Sequence, residues 1–349
     1  MSDSTKYMIE DSMLKRFDRV KRSQAYTAKT LRSDKAWREK TIKTLKALTG
    51  YNSMQKTDPK PRITEEKSFK TYTQQRIEIF TEPGVLMPFY VLIPKTSSGP
   101  FPAILAPHGH CGGGKYPVVG YGINKEVKKA IMDFNYDYGV KFAEAGYIAF
   151  CPDARGFGER QERFVKGKSI LDESCREINN MAYPLGQTMT GMLTWDMHRL
   201  IDYAQSRDDV IKSRIACAGL SGGGYQTLWA SAWDKRIKCS IISGYMYGYK
   251  ESLLEMHNNC SCNYVPHLYE TVDMGDILAL LAPRPVLIET GTKDPLNGRS
   301  GVKNVKSQMT IARKAYRLHG AEKDLQHDIF EGGHRWNGVK TIPFLNKYL

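Results

Sequence analysis

The sequence predicts an α/β fold: a mostly parallel central sheet with helices on both faces, insertions at the carboxyl edge of the strands and a helical extension at the N-terminus. Three observations carry this. Short apolar runs alternate with amphipathic segments of helix length, the pattern of strands buried on both faces and the crossovers that join them. A small-residue pentapeptide, Gly219-Leu-Ser-Gly-Gly223, stands where one such run passes into a helical pattern. The composition is ordinary for a globular chain: 349 residues, 41% hydrophobic and 25% charged. That excludes disordered, collagenous and coiled-coil classes.

Taken in order, residues 1–70 read as a basic helical extension and residues 71–349 as the α/β body. Within the extension, Trp37, Ile42, Leu45 and Leu48 lie on one face of a helix over 36–50, with Gly50 at its end. The stretch 52–61, with two prolines, reads as a linker. Arg76–Thr81 and Met87–Ile93 flank Glu82-Pro-Gly84 and predict an antiparallel pair. Phe101–Pro107 is a short strand, 131–145 a helix closed by Gly146, and Tyr147–Cys151 a buried strand. The helix over 190–205 shows a stripe of Met192, Leu193, Met197, Leu200 and Ile201. Strands follow at 214–219, 238–243, 285–289 and 325–330, with helices over 223–233 and 311–318. Two regions break the alternation, one from 111 to 134 and 156 to 184, the other from 245 to 278. Both follow strand ends and are expected to build pocket walls.

The net charge is +14, with 51 Lys and Arg against 37 Asp and Glu, and residues 1–70 supply +9 of it. The basic residues are interspersed with acids and no nucleic-acid motif accompanies them, so a solvated helical face is the expectation and nucleic acid is not an expected partner. Seven cysteines at irregular spacings do not form a disulfide framework. With no signal-like leader and no apolar run of membrane-spanning length, the expected setting is cytoplasmic, without a membrane partner. A homo-oligomer is compatible with the chain.

The pentapeptide at 219–223 is the strongest chemical signal. A sharp strand-to-helix turn holds a serine in an unusual backbone conformation, and small neighbours let the backbones pass. Ser221 is the candidate nucleophile; the amide of Gly222, at the helix start, is the first candidate oxyanion donor. The alternatives are a capping serine in a Gly-rich turn and a phosphate loop, the latter lacking the Lys-Ser/Thr that such a loop needs. A serine hydroxyl requires a base and an orienting acid. Asp294, on the loop after strand 285–289, is the candidate acid, ahead of Asp273 and Asp276 in the insertion. His334, after Gly332-Gly333 beyond the last strand, is the candidate base. His198, His319 and His327 fall within or beside regular elements, where a structural role is expected.

The second oxyanion donor should come from Pro107-His-Gly-His110-Cys-Gly-Gly-Gly114. The amide of His110 is chosen, with Cys111 the neighbouring alternative, and His108 is expected to bond within that loop. The rival is a metal-dependent hydrolase using His108, His110, Cys260, Cys262, His257 and His267, since imidazole and thiolate suit zinc. Its spacings are weak, so no metal or cofactor is expected.

With these residues in place, the chain resembles the α/β-hydrolase superfamily, in its acetyl xylan esterase-like and dienelactone hydrolase-like branch. The matching segments are Pro107–His110, Pro152-Asp-Ala-Arg-Gly-Phe-Gly-Glu-Arg160, Gly191–Asp196, Gly219–Gly224, Leu281–Pro285 and Phe330–His334. The resemblance covers roughly 70–349 and implies Ser221 as nucleophile, Asp294 as acid and His334 as base. Dienelactone hydrolases place cysteine at the nucleophile, so Ser221 argues for ester hydrolysis. Several related acetyl esterases carry tyrosine where this chain has His110, which implies a different acyl pocket. Arg155, Glu159 and Arg160 form either an internal ion-pair network, the favoured reading, or charges near the pocket mouth. Tyr245, with Tyr247 and Tyr249, either lines the pocket or fills the core. The expected activity is a serine esterase acting on small acyl, acetyl-like esters of carbohydrates or similar alcohols. A peptidase or amidase of the same fold, the metal-dependent hydrolase and a non-catalytic binding protein are the alternatives.

Overall fold

The computed structural model describes residues 7–110, 112–165, 167–256 and 259–349. Among the described residues nine strands form one sheet: β1 Arg62–Ser68, β2 Tyr72–Glu82, β3 Val85–Pro94, β4 Phe101–Leu105, β5 Ile148–Pro152, β6 Val210–Leu220, β7 Ile237–Ser243, β8 Val286–Gly291 and β9 Leu325–Phe330. Their spatial order is β1-β2-β3-β5-β4-β6-β7-β8-β9. The first three join antiparallel, β3 against β5; from β5 through β9 every pairing is parallel. The central strands are buried on both faces, which is why they are continuous apolar runs without alternation. All six parallel strands therefore end at the same edge, where loops after β4, β6, β8 and β9 meet.

The strand β1 was not expected. Its sequence, Arg-Ile-Thr-Glu-Glu-Lys-Ser, is exposed at every position, so it carries no apolar period; only its pairing with β2 makes it a strand. Its charges suit a sheet edge, where they discourage further pairing. It also lies on the N-terminal side of residue 70.

The helices are α1 Glu10–Arg19, α2 Leu31–Leu48, α3 Lys125–Phe134, α4 Tyr138–Glu144, α5 Cys175–Ala182, α6 Met189–Ser206, α7 Gly222–Trp233, α8 Leu268–Thr271, α9 Met274–Ala279, α10 Val302–Leu318 and α11 Thr341–Tyr348. The single helix expected over 131–145 is two. Asn135 turns into the left-handed region at φ 52° and ends α3. Its side chain bonds the carbonyl of Trp336 at 3.0 Å and accepts from Lys141, so the break is held by distant groups that periodicity does not see. Among the described residues no helix is long and apolar enough to cross a membrane.

The N-terminal segment is bolted to the body. Leu45 on α2 is fully buried in the main core. Arg22 reaches Asp276 at 3.0 Å, and the same carboxylate accepts the Tyr26 amide at 2.7 Å. Asp34 gathers Tyr26, Arg38 and His319. Asp276, a rival acid in the sequence reading, is thus a structural anchor, and with Asp273 it caps α9.

Two buried ion networks hold the segment after β5. Arg155 bridges Asp196 and Glu82, and Arg160 also reaches Asp196. Lys115, fully buried, bonds Asp153 at 2.5 Å and also Glu159, which pairs in turn with Arg76 at 2.6 Å. Burial opposes ionisation of Glu159, but Arg76 and Lys115 outweigh it and hold its carboxyl at about 2. A carboxylate depressed below its unfolded value contributes stability above that value, about 4.3, and loses it as pH falls toward 2. Glu159→Gln should therefore cost about 1–2 kcal/mol at pH 7 and progressively less below pH 4, measured by denaturant unfolding across pH.

Candidate active site

The strand β6 runs straight into α7 through Ser221, whose backbone sits at φ 58°, ψ −119°. A non-glycine residue there is strained and must be held by its surroundings. The Ser221 amide donates to Ser243 on β7 at 2.8 Å, and its carbonyl accepts from Tyr225 at 2.9 Å. The tightness of the turn explains its glycines. A Cβ on Gly219 would lie 2.6 Å from the Gly223 carbonyl carbon, and one on Gly223 would lie 2.2 Å from the Pro107 oxygen. The loop after β4 also packs directly on the serine: a Cβ on Gly109 would come within 2.9 Å of the Ser221 Cβ. The first-turn amides of α7 have no acceptors within the helix, and the His110 ring lies over Gly222, 2.7 Å from where a Cβ would stand.

Asp294 and His334 come together. The imidazole Nδ1 donates to Asp294 Oδ2 at 2.7 Å, while the other carboxylate oxygen accepts the Leu296 amide at 2.9 Å and caps the turn over Pro295–Asn297. The Asp294 side chain is buried; that of His334 is 19% exposed. The His334 loop approaches so closely that a Cβ on Gly291 would lie 2.4 Å from the Gly333 oxygen. On the far side, buried Glu289 accepts from the amides of Asn337 and Gly338 and from the Thr341 hydroxyl. Burial raises its carboxyl.

Ser221, His334 and His110 line one cavity of about 1050 Å³, at the large end of the range for ligand sites. Phe134, Tyr136 and Leu296 supply apolar wall, and Lys168, Glu173 and Arg176 polar wall. The aromatic pair arrives through the α3–α4 break, and Glu173 from the insertion before α5. Periodicity points to neither, because both depend on loops folding back over the sheet.

Three expected pocket side chains are not on that wall. His108 is buried: its Nδ1 donates to the Gly109 carbonyl at 2.7 Å and its Nε2 accepts the Ala154 amide at 3.0 Å. Burial pushes its imidazole down to about 4, so it stays neutral. Arg155 is spent on Asp196 and Glu82, so the internal network is what forms. Tyr245 is core, its hydroxyl donating to Asn263 at 2.8 Å. His198 bonds Tyr51 and the Ala230 carbonyl, and His327 bonds Thr290, structural roles as expected.

Of the rival metal donors, His108 is occupied within its loop and His267 pairs with Glu270 on the surface. Cys111 and His257 lie outside the described residues. His110, Cys260 and Cys262 do converge, with Nε2 of His110 3.3 Å from the Cys262 sulfur. Burial acts to raise the Cys262 thiol, yet hydrogen bonds with Cys175 and Cys260 lower it. Burial, with Cys260 beside it, pushes the Glu173 carboxyl up to about 7.

The packing around the serine turn sets a direct expectation. Gly223→Ala should lower the melting temperature by several degrees, a loss of about 1–3 kcal/mol from overpacking against Pro107. Gly333→Ala, which meets nothing within 4 Å, should shift it far less in the same scan.

Comparisons with known proteins agree with this architecture. A family model described as "Abhydrolase family" matches residues 3–331. YtaP of Bacillus subtilis (strain 168), assigned as a hydrolase, is 32% identical over 270 residues, covering 75% of this chain and 83% of YtaP. Among solved structures, a Bacteroides fragilis NCTC 9343 protein assigned as an acetyl xylan esterase aligns with a TM-score of 0.80 at 16% identity, over 96% of this chain and 93% of that one. A glucuronoyl esterase from Solibacter usitatus aligns at 0.66 and 16%, over 94% and 96%. At such identity the structural matches speak for the fold alone. With the sequence matches they establish that this chain belongs to the Abhydrolase family and has the α/β-hydrolase fold.

Proposed function

We propose that the protein is a serine esterase working through a covalent acyl-enzyme, with Ser221 as nucleophile, His334 as general base and Asp294 as the carboxylate that orients it. The observation that carries this reading is the 2.7 Å bond from His334 Nδ1 to a buried Asp294, on an imidazole that shares a cavity with the strained serine. With Nδ1–H committed to Asp294, the Nε2 tautomer is free to accept the serine proton as Oγ attacks an ester carbonyl. Asp294 stabilises the imidazolium that results. The developing oxyanion is met by backbone amides, Gly222 at the start of α7 and His110 in the loop packed over it. His334 then protonates the departing alkoxide, and water repeats the sequence on the acyl group.

The substrate reading follows from the cavity and the relatives. Its size and its charged outer residues favour a polar alcohol such as a sugar over a long lipid chain. The acetyl and glucuronoyl esterases that share the fold act on carboxylic esters, which supports an acetyl-like ester of a carbohydrate as the preferred substrate. The described cysteines are all free thiols, which supports a reducing, cytoplasmic setting.

Ser221→Ala should reduce turnover of p-nitrophenyl acetate by at least about 10⁴-fold, and a fluorophosphonate probe should label the parent protein at Ser221 and leave the variant unlabelled. Near-parental turnover by the variant would exclude the assignment. Asp294→Asn should lower kcat by about 10⁴-fold with KM little changed, since it acts on the imidazole and not on substrate. A panel running from acetyl to octanoyl esters, with acetylated sugars and amide counterparts alongside, should favour acetyl and leave amides uncleaved.

A further inference from the structure

A second constellation sits at the wall of the same cavity, and its side chains take no part in the proposed hydrolysis. Three segments far apart in sequence converge there: His110 after β4, Glu173–Cys175 at the start of α5, and Cys260–Cys262 in the later insertion. The donor atoms of His110, Cys260 and Cys262 all lie within 4.8 Å of one another, and so do those of Glu173, Cys175 and Cys260. The Cys260 thiol donates to Glu173 at 3.0 Å. The cysteines are free thiols, not disulfides.

The frame around these donors is stiff. The Cys262 carbonyl accepts two hydroxyls, from Thr190 at 3.0 Å and Tyr225 at 2.8 Å. Asn179 holds the Ser261 carbonyl at 2.6 Å, and Asn263 holds that of Cys260 at 3.0 Å. Each thiol is a weak hydrogen-bonding group, so three of them facing an imidazole and a carboxylate gain little from each other. A soft divalent cation would make fuller use of the imidazole and the thiols beside it. Tetrahedral zinc, with Zn–S near 2.3 Å and Zn–N near 2.0 Å, sets its donors about 3.5–3.8 Å apart. The 3.3 Å separation of His110 and Cys262 is already close to that.

From this convergence we infer that the protein binds one zinc-like divalent cation through His110, Cys260 and Cys262, with the fourth position left to solvent. Each coordinating thiol gives up its proton to solvent as the sulfur–metal bond forms, and no redox change is involved. Three protein ligands from segments far apart in sequence hold the ion. Its role would be to fix the His110 loop, whose backbone packs over Ser221, and to tie it to the later insertion.

The test uses the full-length chain, reduced and stripped with a chelator, titrated with Cd²⁺ and with Zn²⁺. One equivalent of Cd²⁺ should produce a thiolate-to-metal charge-transfer band, one equivalent of Zn²⁺ should bleach it, and bound Zn²⁺ should raise the melting temperature and shield Cys260 from alkylation. Cys260→Ser and Cys262→Ser should each abolish the band, whereas Cys175→Ser and Glu173→Gln should keep one equivalent. Ser221→Ala should bind the metal as the parent does, so this outcome is independent of the esterase assignment. A folded, reduced parent chain that shows no band at stoichiometric Cd²⁺ overturns the inference without recourse to any variant. So does a band that survives in both Cys260→Ser and Cys262→Ser.

Discussion

The close passage of backbone at the end of β6 is the constraint on which the site depends. Ser221 occupies a positive-φ conformation that an isolated chain would leave at once, by an amount on the order of 1–3 kcal/mol. It stays because the strand before it is paired on both sides, the helix after it is buried, and the Pro107–Gly109 segment packs against the turn. Gly109, Gly219 and Gly223 are the positions where a side chain would collide with that arrangement. The same crowding that strains the serine raises its hydroxyl at the sheet edge, beside the helix amides. Strain and burial are therefore one feature.

Around that turn, the loops are held by polar groups out of contact with water. Asp153 draws Lys115 and the Glu159 amide together, Asp196 clamps Arg155 and Arg160, and Glu289 ties down the chain just beyond His334. Buried charges of this kind are weak sources of net stability but strong determinants of geometry, because leaving any partner unpaired is costly. Apolar packing alone would let these loops slide. The N-terminal segment works the same way at the periphery, where Asp34 and Asp276 fasten it to α9 and α10.

Where local chemistry governs, the residues were readable. The strands were visible because burial on both faces demands continuous apolar runs, and the pentapeptide because few residues other than glycine tolerate such close approach. Asp294 and His334 were chosen as candidates from their order at strand ends, and the two side chains meet at hydrogen-bonding distance. The α3–α4 break was missed because Asn135 is held by Trp336 and Lys141, and β1 because its seven exposed residues have no apolar period. Arg155 and Tyr245 are charged and aromatic residues near strand ends, which fits pocket and core alike; only the positions of Asp196 and Asn263 decide between them. Lys115 was not singled out at all, although a lysine closing a run of three glycines is the one local hint that its backbone turns inward.

The sequence by itself determined the alternation of strands and helices, the turn that presents Ser221 and the chain order of the serine, the acid and the imidazole. These follow from backbone sterics and from burial within neighbouring residues, so they are written in short stretches. The tertiary structure alone decided which residues of the two insertions reach the cavity, where the N-terminal segment docks, and that His110, Cys260 and Cys262 face one another. Those outcomes depend on contacts between segments tens to hundreds of residues apart, whose meeting is set by the path of the whole chain over the sheet and leaves no periodic mark in the residues themselves.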